Sequence, residues 1–279
     1  MRWLREVGWR YVVVVLALAF ALFPGVWVMS AAFNPTGSIA GQQLIPEPIS
    51  TVNFETLFAT QFWRWFTNSM ILAGATAIGS VFLTALSAYV YSRLRFSGRR
   101  LTLVALLLLQ MLPQFLAIIA IYLLMISIAR YFPQLGLNTL TGLIMIYLGG
   151  ALGLNTWLMK GFFDTIPKDL DESAKVDGAS HVQVFFTIIL PLSAPILAVI
   201  ALLSFIVSIN DFMVQSVLLQ REESYTLAVG LYHFIAEDYG ARWGPFAAGA
   251  LIAGAPIILL FMYLQRHITS GLIQGAVKG

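Results

Sequence analysis

The residues able to do chemistry crowd into one stretch, Asp164-Thr165-Ile166-Pro167-Lys168-Asp169-Leu170-Asp171-Glu172-Ser173-Ala174-Lys175-Val176-Asp177-Gly178-Ala179-Ser180. It is charge-dense and lies between apolar runs, so it must face something other than lipid. A second group, Ser204, Ser208 and Asp211, is spaced by four and three and shares one helix face. Hydroxyls and a carboxylate aligned in this way suit sugar hydroxyls or a neighbouring helix equally. Intramembrane carboxylates are costly, but Asp211 sits near the end of its apolar run, where it either lines a path or is solvated. There are no cysteines, which excludes disulfides, thiolate metal sites and cysteine nucleophiles. His181, His233 and His267 are too scattered to share a site, and no metal ligand set is expected. Paired carboxylates and Ser/His pairs are also missing at membrane depth, so nothing points to an intramembrane enzyme.

The elements that hold these groups follow from composition. Of the 279 residues 59% are hydrophobic and 10% charged, and mean hydropathy is +0.84. Soluble domains carry about a quarter charged residues, so the chain is an integral membrane protein. The net charge of +3 comes with no dense basic patch, which argues against nucleic acid as a partner. Six uncharged runs, 11–46, 65–92, 101–129, 131–159, 178–210 and 243–265, each exceed the ~20 residues a helix needs to cross a bilayer. None alternates with period two, so the expectation is an all-α fold of six transmembrane helices rather than a barrel. The run from Tyr11 to Phe33 is longer than the ~7–15 residues of a signal h-region and reads as an uncleaved anchor.

Lysine and arginine give the orientation. With the N-terminus inside, the inner segments hold Arg2, Arg5, Arg10, Arg93, Arg95, Arg99, Arg100, Lys160, Lys168, Lys175, Arg266 and Lys278. The outer segments hold Arg64, Arg130, Arg221 and Arg242. This bias places both termini and the 164–180 stretch in the cytoplasm. The expected organisation is 1–66 (N-terminal segment, first helix and outer loop), 67–270 (transmembrane core) and 271–279 (cytoplasmic tail).

Within the first outer loop, Phe54, Leu57, Phe58, Phe62 and Trp65 recur at helical spacing and predict a helix along the interface, ending at Trp63 and Trp65. Gln110, Pro113 and Gln114 interrupt the third run, where proline kinks the helix. Gly149, Gly150, Gly153 and Asn155 mark the fourth. These residues either let helices pack closely or line a path for a polar solute. Together with Ser204, Ser208, Asn210 and Asp211, the residues Gln110, Gln114 and Asn155 are the candidate pore set. The second large outer loop, Gln220 to Trp243, is acidic and carries Tyr225, Tyr232, Tyr239 and Trp243. An interfacial aromatic belt accounts for these rings as well as a docking role does.

Local signals draw the 164–180 stretch as a hairpin. Pro167 suits a first helical turn, Asp169, Asp171 and Glu172 favour the positive end of the helix dipole, and Gly178 can end a helix in the left-handed conformation. A helix over Lys168 to Asp177, a glycine turn and a second helix from Ala179 are expected. Leu170, Ser173 and Ala174 form a small apolar face beside Glu172 and Lys175, suited to a cleft in a partner.

Glu172-Ser173-Ala174, Asp177-Gly178-Ala179 and Ile189-Leu190-Pro191 resemble the EAA motif of the membrane subunits of bacterial ATP-binding-cassette importers, with Ser173 in place of the usual alanine. Ser208-Ile209-Asn210-Asp211-Phe212 is similar to the W-N-D/E-F element of carbohydrate-importer permeases, with isoleucine in place of tryptophan. Ser224 to Gly230 and the tail Gln274 to Gly279 resemble the MalG-type subunits of maltose importers. The resemblance covers most of the second half of the chain and implies a MetI-like type I importer fold. It implies that Leu170, Glu172, Ser173, Ala174, Asp177, Gly178 and Ala179 couple to a separate ATPase. The implied partners are a second, MalF-like permease, an ATP-binding-cassette ATPase dimer that binds ATP and magnesium, and an extracytoplasmic sugar-binding protein. The binding protein would meet Tyr225, Tyr232, Tyr239 and Trp243, and the tail, with Gly275 and Lys278, would reach toward the ATPase. The chain has no GxxxxGK[ST] phosphate loop of its own. The alternatives are a permease for another small solute of the same importer class and an ion-coupled secondary transporter. The second predicts buried charges at mid-membrane, and the apolar runs hold essentially none.

Overall fold

The computed structural model describes residues 7–36, 42–111, 114–236 and 241–276, and among them every regular element is helical. In chain order these are α1 Trp9–Phe33, α2 Val52–Phe58, α3 Phe62–Arg93, α4 Arg99–Gln110, α5 Gln114–Ala129, α6 Leu140–Ala151 and α7 Leu154–Thr165. There follow α8 Lys168–Val176, α9 His181–Val184, α10 Leu190–Leu192, α11 Ala194–Asn210, α12 Met213–Leu218, α13 Leu227–Tyr232 and α14 Trp243–Ala276. Among the described residues three helices, α1, α3 and α14, are long and apolar enough to cross a membrane singly, and the number rises to at most five if each of two bent helix pairs is one span. Within the expected third span α4 ends at Gln110 and α5 begins at Gln114, and Pro113 lies outside the described residues.

The chain packs as two compact units, Met1–Trp63 with Val229–Ala255 and Arg64–Ala228 with Pro256–Gly279. In the first unit α1 is apolar all round, and Phe20, 84% exposed, typifies side chains left for lipid or a neighbouring subunit to cover. The amide of Asn53 ties the end of α1 to α2, donating to the carbonyls of Ala32 at 3.0 Å and Asn34 at 2.8 Å. Gly244 passes so close to the Asn53 carboxamide that a Cβ there would overlap it. Phe33, Phe54, Phe58, Phe62 and Trp63 make successive ring contacts beside this junction, tilted or edge-on except for the stacked Phe58–Trp63 pair. The expected interfacial helix is therefore shorter than its apolar spacing suggested. It stops at Phe58, and Phe62, Trp63 and Trp65 open α3, a helix about 48 Å long at 1.5 Å per residue.

In the second unit, Ala85, Ala88 and Tyr89 of α3 share one core with Met159 and Phe163 of α7, Ile166, Val184, Phe185, Ile189 and Ile200. Leu72 packs with Met125, Leu143, Val214, Leu218 and Leu219 in another. Between them the small residues Ala73 and Ala77 admit Phe205 and Ile209 of α11, the close approach that small side chains permit.

Two helix pairs bend sharply. α6 and α7 meet at 49°, and the limb His181–Leu192 meets α11 at 79°. Pro191 and Pro195 flank the second corner and cannot donate to the carbonyls one turn back. A π-turn over Phe185–Ile189 widens the approach, and the buried Ser193 hydroxyl donates to Ile189 O at 2.7 Å.

Candidate functional site

The hairpin is locked at both sides of its turn. Gly178 has φ +87°, its N–H donates to Lys175 O at 3.0 Å, and Ala179 N–H donates to Ala174 O at 2.9 Å. This bond pair is the Schellman arrangement, which satisfies the last carbonyls of α8. Two residues later Ser180 opens α9 with a capping box. Ser180 N–H donates to Gln183 Oε1 at 2.7 Å and Gln183 N–H to Ser180 Oγ at 3.3 Å. Three boundaries shift from the sequence reading. Pro167 is the cap before α8 rather than its first turn, Asp177 is its C-cap, and the second helix begins at His181, because Ala179 closes the turn.

The face that α8 presents also differs from expectation. Asp171 is 4% exposed and forms a buried ion pair with Arg93 at the end of α3. Arg93 also donates to Ile166 O at 2.9 Å and to Ser92 Oγ at 3.1 Å. Ser92 Oγ donates to Asp164 Oδ1 at 2.6 Å, and Lys160 pairs with Asp164 at 2.5 Å. This network clamps the hairpin to α3 and α7. Ala174 and Ala179 turn inward against the core, whereas Leu170 (42% exposed), Glu172, Ser173, Asp177 and Gly178 face out together with Val176 (87%). The small apolar face of Leu170, Ser173 and Ala174 is thus split, with Ala174 packing inside. The helix dipole alone does not account for Asp171, whose buried partner is Arg93.

The candidate pore residues divide as well. A cavity of about 480 Å³ is lined by Gln110, Asn155, Ser204, Ser208 and Asp211, with Tyr147, Thr76 and Ser80. Asp211 caps the end of α11 rather than continuing its face. Its carboxylate accepts from Tyr147 OH at 2.9 Å and from Val214 N–H at 3.1 Å. Gln215, fully buried, donates to Tyr147 OH at 3.1 Å and to Ser208 O at 2.6 Å, and accepts from Thr226 Oγ1. Gln110 reaches across from α4 to the α6–α7 break, donating to Gly150 O at 2.6 Å and accepting from Leu154 N–H at 2.7 Å. It thereby satisfies backbone groups that the bend frees, and Gly153 supplies the room its side chain needs. Asn210 points away from the cavity, exposed, and donates to Ile206 O at 2.9 Å. The side chain of Gln114 is outside the described residues.

The aromatic residues of the 220–243 segment fall in different units. Tyr225 belongs to one unit, its carbonyl accepting from Asn68 Nδ2 at 2.9 Å, and Tyr232 and Trp243 belong to the other. Tyr239 and Lys278 lie outside the described residues, and Gly275 lies in the last turn of α14. Sequence reasoning missed the hub that holds this region. Asn138, at φ 60°, accepts through one carboxamide oxygen from Gln220 N–H at 2.6 Å, Arg221 N–H at 2.9 Å and Ser224 Oγ at 3.3 Å. An asparagine before a helix-starting Thr139 was the available sign.

Apolar helices with a locked polar hairpin and a polar cavity define a membrane transport subunit. Residues 80–274 match the family described as "Binding-protein-dependent transport system inner membrane component", and the chain belongs to it as a permease, not an enzyme. It is 41% identical over 273 residues to the galactooligosaccharides transport system permease protein GanQ of Bacillus subtilis (strain 168), covering 96% of this chain and 94% of that one. With the maltose/maltodextrin transport system permease protein MalG of Escherichia coli (strain K12) it shares 38% identity over 286 residues, 96% and 95% of the two chains. A solved bacterial ABC transporter involved in the import of the acidic polysaccharide alginate superposes with a TM-score of 0.78 at 22% identity, covering 95% of this chain and 98% of that one. That likeness bears out the MetI-like importer fold. A second structure, the alginate transporter in complex with an alginate pentasaccharide-bound periplasmic protein, gives a TM-score of 0.70 at 17% identity and covers 95% of this chain.

Proposed function

We propose that this permease forms half of the translocation pathway for a neutral oligosaccharide of the maltodextrin or galacto-oligosaccharide kind, driven by ATP hydrolysis in a separate subunit. The observation that carries the coupling role is the outward surface of the 164–180 hairpin, Leu170, Glu172, Ser173 and Val176, on a turn fixed by Gly178 and Ser180. A short rigid helix with a small exposed apolar face and a flanking acid fits a cleft with a basic lip on an ATPase. The saccharide class rests on the names of relatives similar over nearly their whole length.

The assembly this reading requires comprises a second, MalF-like permease, an ATPase dimer holding ATP and magnesium, and an extracytoplasmic sugar-binding protein. The chain would sit in the bacterial plasma membrane with both termini and the hairpin cytoplasmic, following its arginine and lysine bias. Residues 67–270 would act as the transmembrane core. Tyr225, Tyr232, Tyr239 and Trp243 would face the binding protein, and the tail from Gly275 would approach the ATPase. The deciding experiment is ATP hydrolysis by the reconstituted complex across a panel of sugars. Stimulation by malto- or galacto-oligosaccharides is expected; stimulation only by a non-sugar solute would replace the saccharide reading with another solute of the same importer class.

A further inference from the structure

In a continuous α-helix the N–H of Leu154 would donate to the carbonyl of Gly150, four residues back. Here that bond is replaced by two others. Gln110 Nε2 donates to Gly150 O at 2.6 Å, and Leu154 N–H donates to Gln110 Oε1 at 2.7 Å. The carboxamide of Gln110 thus stands inside one rung of the ladder that would join α6 to α7. A side chain inserted into the ladder is one of the few causes of a sharp helix kink, and this one coincides with the 49° bend between α6 and α7. Gly153 turns the backbone there, with ψ −88° instead of the helical value near −42°.

We propose that Gln110 is a removable wedge, a positioning residue that sets the α6–α7 bend and leaves the rung when the permease changes state. On withdrawal Leu154 N–H bonds Gly150 O directly, and α6 and α7 join as one straighter helix. Neither state strands a backbone group, and the freed carboxamide is satisfied by water because Gln110 is exposed on the cavity wall. Gly149, Gly150 and Gly153 weaken the helix around the break, which keeps the joined form from dominating. The neighbouring helix is placed to work the wedge. Trp157 Nε1 of α7 donates to Leu103 O of α4 at 2.9 Å. Leu103 and Gln110 lie seven residues, two turns, apart on one face of α4, so α4 grips α7 at one point and enters the break at the other. The far end of α7 carries Asp164, which accepts from Ser92 Oγ and pairs with Lys160 beside the hairpin. A change of bend therefore reaches the hairpin. The wedge goes beyond the proposed function, and only its link to ATP rests on that reading.

The chain has no cysteine, so Met145→Cys and Thr165→Cys, exposed positions on α6 and α7, can be spin-labelled as a pair in the full complex with cysteine-free partner subunits. Relative to the 49° bend, a straight α6–α7 lengthens the 145–165 separation by about 2–3 Å at 1.5 Å per residue. Gln110→Leu removes the wedge. Gly153→Ala expels it, since a Cβ there would lie 2.2 Å from the Gln110 carboxamide carbon. Without nucleotide, both variants are expected to shift the distance distribution to the longer value, and both are expected to lower sugar uptake severalfold. In the otherwise wild-type complex the distribution is expected to change between the nucleotide-free and the vanadate-trapped states, which a merely structural side chain would not produce. Wild-type distances in both variants, in complexes that assemble, would overturn the wedge. Where the variants fail to assemble the nucleotide arm decides, and an unchanged distance in a complex that imports sugar would overturn it. A complex that neither hydrolyses ATP nor imports sugar would overturn the importer reading and leave the nucleotide-free comparison standing.

Discussion

Arg93 and Asp171 form an ion pair with side chains 4% and 6% exposed, joining the end of α3 to the hairpin across 78 residues of sequence. A buried pair is weak evidence of net stabilisation, but removing one partner strands the other charge at a cost of about 3–5 kcal/mol. Asp171→Ala is therefore expected to lower the thermal midpoint of the purified complex and to release the ATPase subunit. The double variant Arg93→Met, Asp171→Leu should recover much of the thermal stability. If the single variant melts like wild type and keeps its ATPase, the pair is not the clamp.

The turn at Gly178 makes a sharper prediction. A Cβ there would meet nothing within 4 Å, so Gly178→Ala suffers only from its φ of +87°, a cost of roughly 1–2 kcal/mol. Gly178→Pro cannot adopt that angle and also loses the N–H donated to Lys175 O. Co-purification with the ATPase should weaken slightly in the alanine variant and fail in the proline variant. Equal retention by both would show that the turn geometry is irrelevant to docking.

Asp211 combines two structural hydrogen bonds with a place on the cavity wall. Asp211→Asn keeps an acceptor oxygen and should retain most uptake, whereas Asp211→Ala should reduce it and, with Tyr147→Phe, cost about 1 kcal/mol per lost hydrogen bond. Uptake and thermal denaturation measured together separate the two roles. Normal uptake at normal expression in Asp211→Ala would remove the residue from the pathway.

Asn138 predicts an effect on the loop that follows α12. With the carboxamide deleted in Asn138→Ala, the amides of Gln220 and Arg221 lose their acceptor. Trypsin cleavage after Arg221 in the folded complex should accelerate several-fold, by roughly the factor that about 1 kcal/mol represents. An unchanged cleavage rate would show that the loop is held elsewhere.

The helices and the hairpin turn were legible because their signals are local: uncharged runs, Pro167, Gly178, and Ser180 three residues before Gln183. The direction in which α8 faces was not, since nothing near Asp171 announces that its partner is Arg93. The same holds for Gln110. In sequence it is a polar interruption of an apolar run, and only the fold shows it filling the break between Gly150 and Leu154. Phe62 and Trp65 continue the helical period of Phe54 and Phe58, so periodicity alone cannot locate the turn over residues 59–61 that separates two helices.

The limb His181–Leu192 stands at 79° to α11, and a limb at such an angle is a crank. The capping box at Ser180 roots it in the hairpin, and its 12 residues make an arm about 18 Å long. A displacement of roughly 3 Å across the far end of such an arm turns it through about 10°. A displacement of the hairpin perpendicular to the plane of the limb and α11 would therefore act on α11 as torque about its own axis rather than as a push along it. The wall that carries Ser204 and Ser208 is what that rotation would turn.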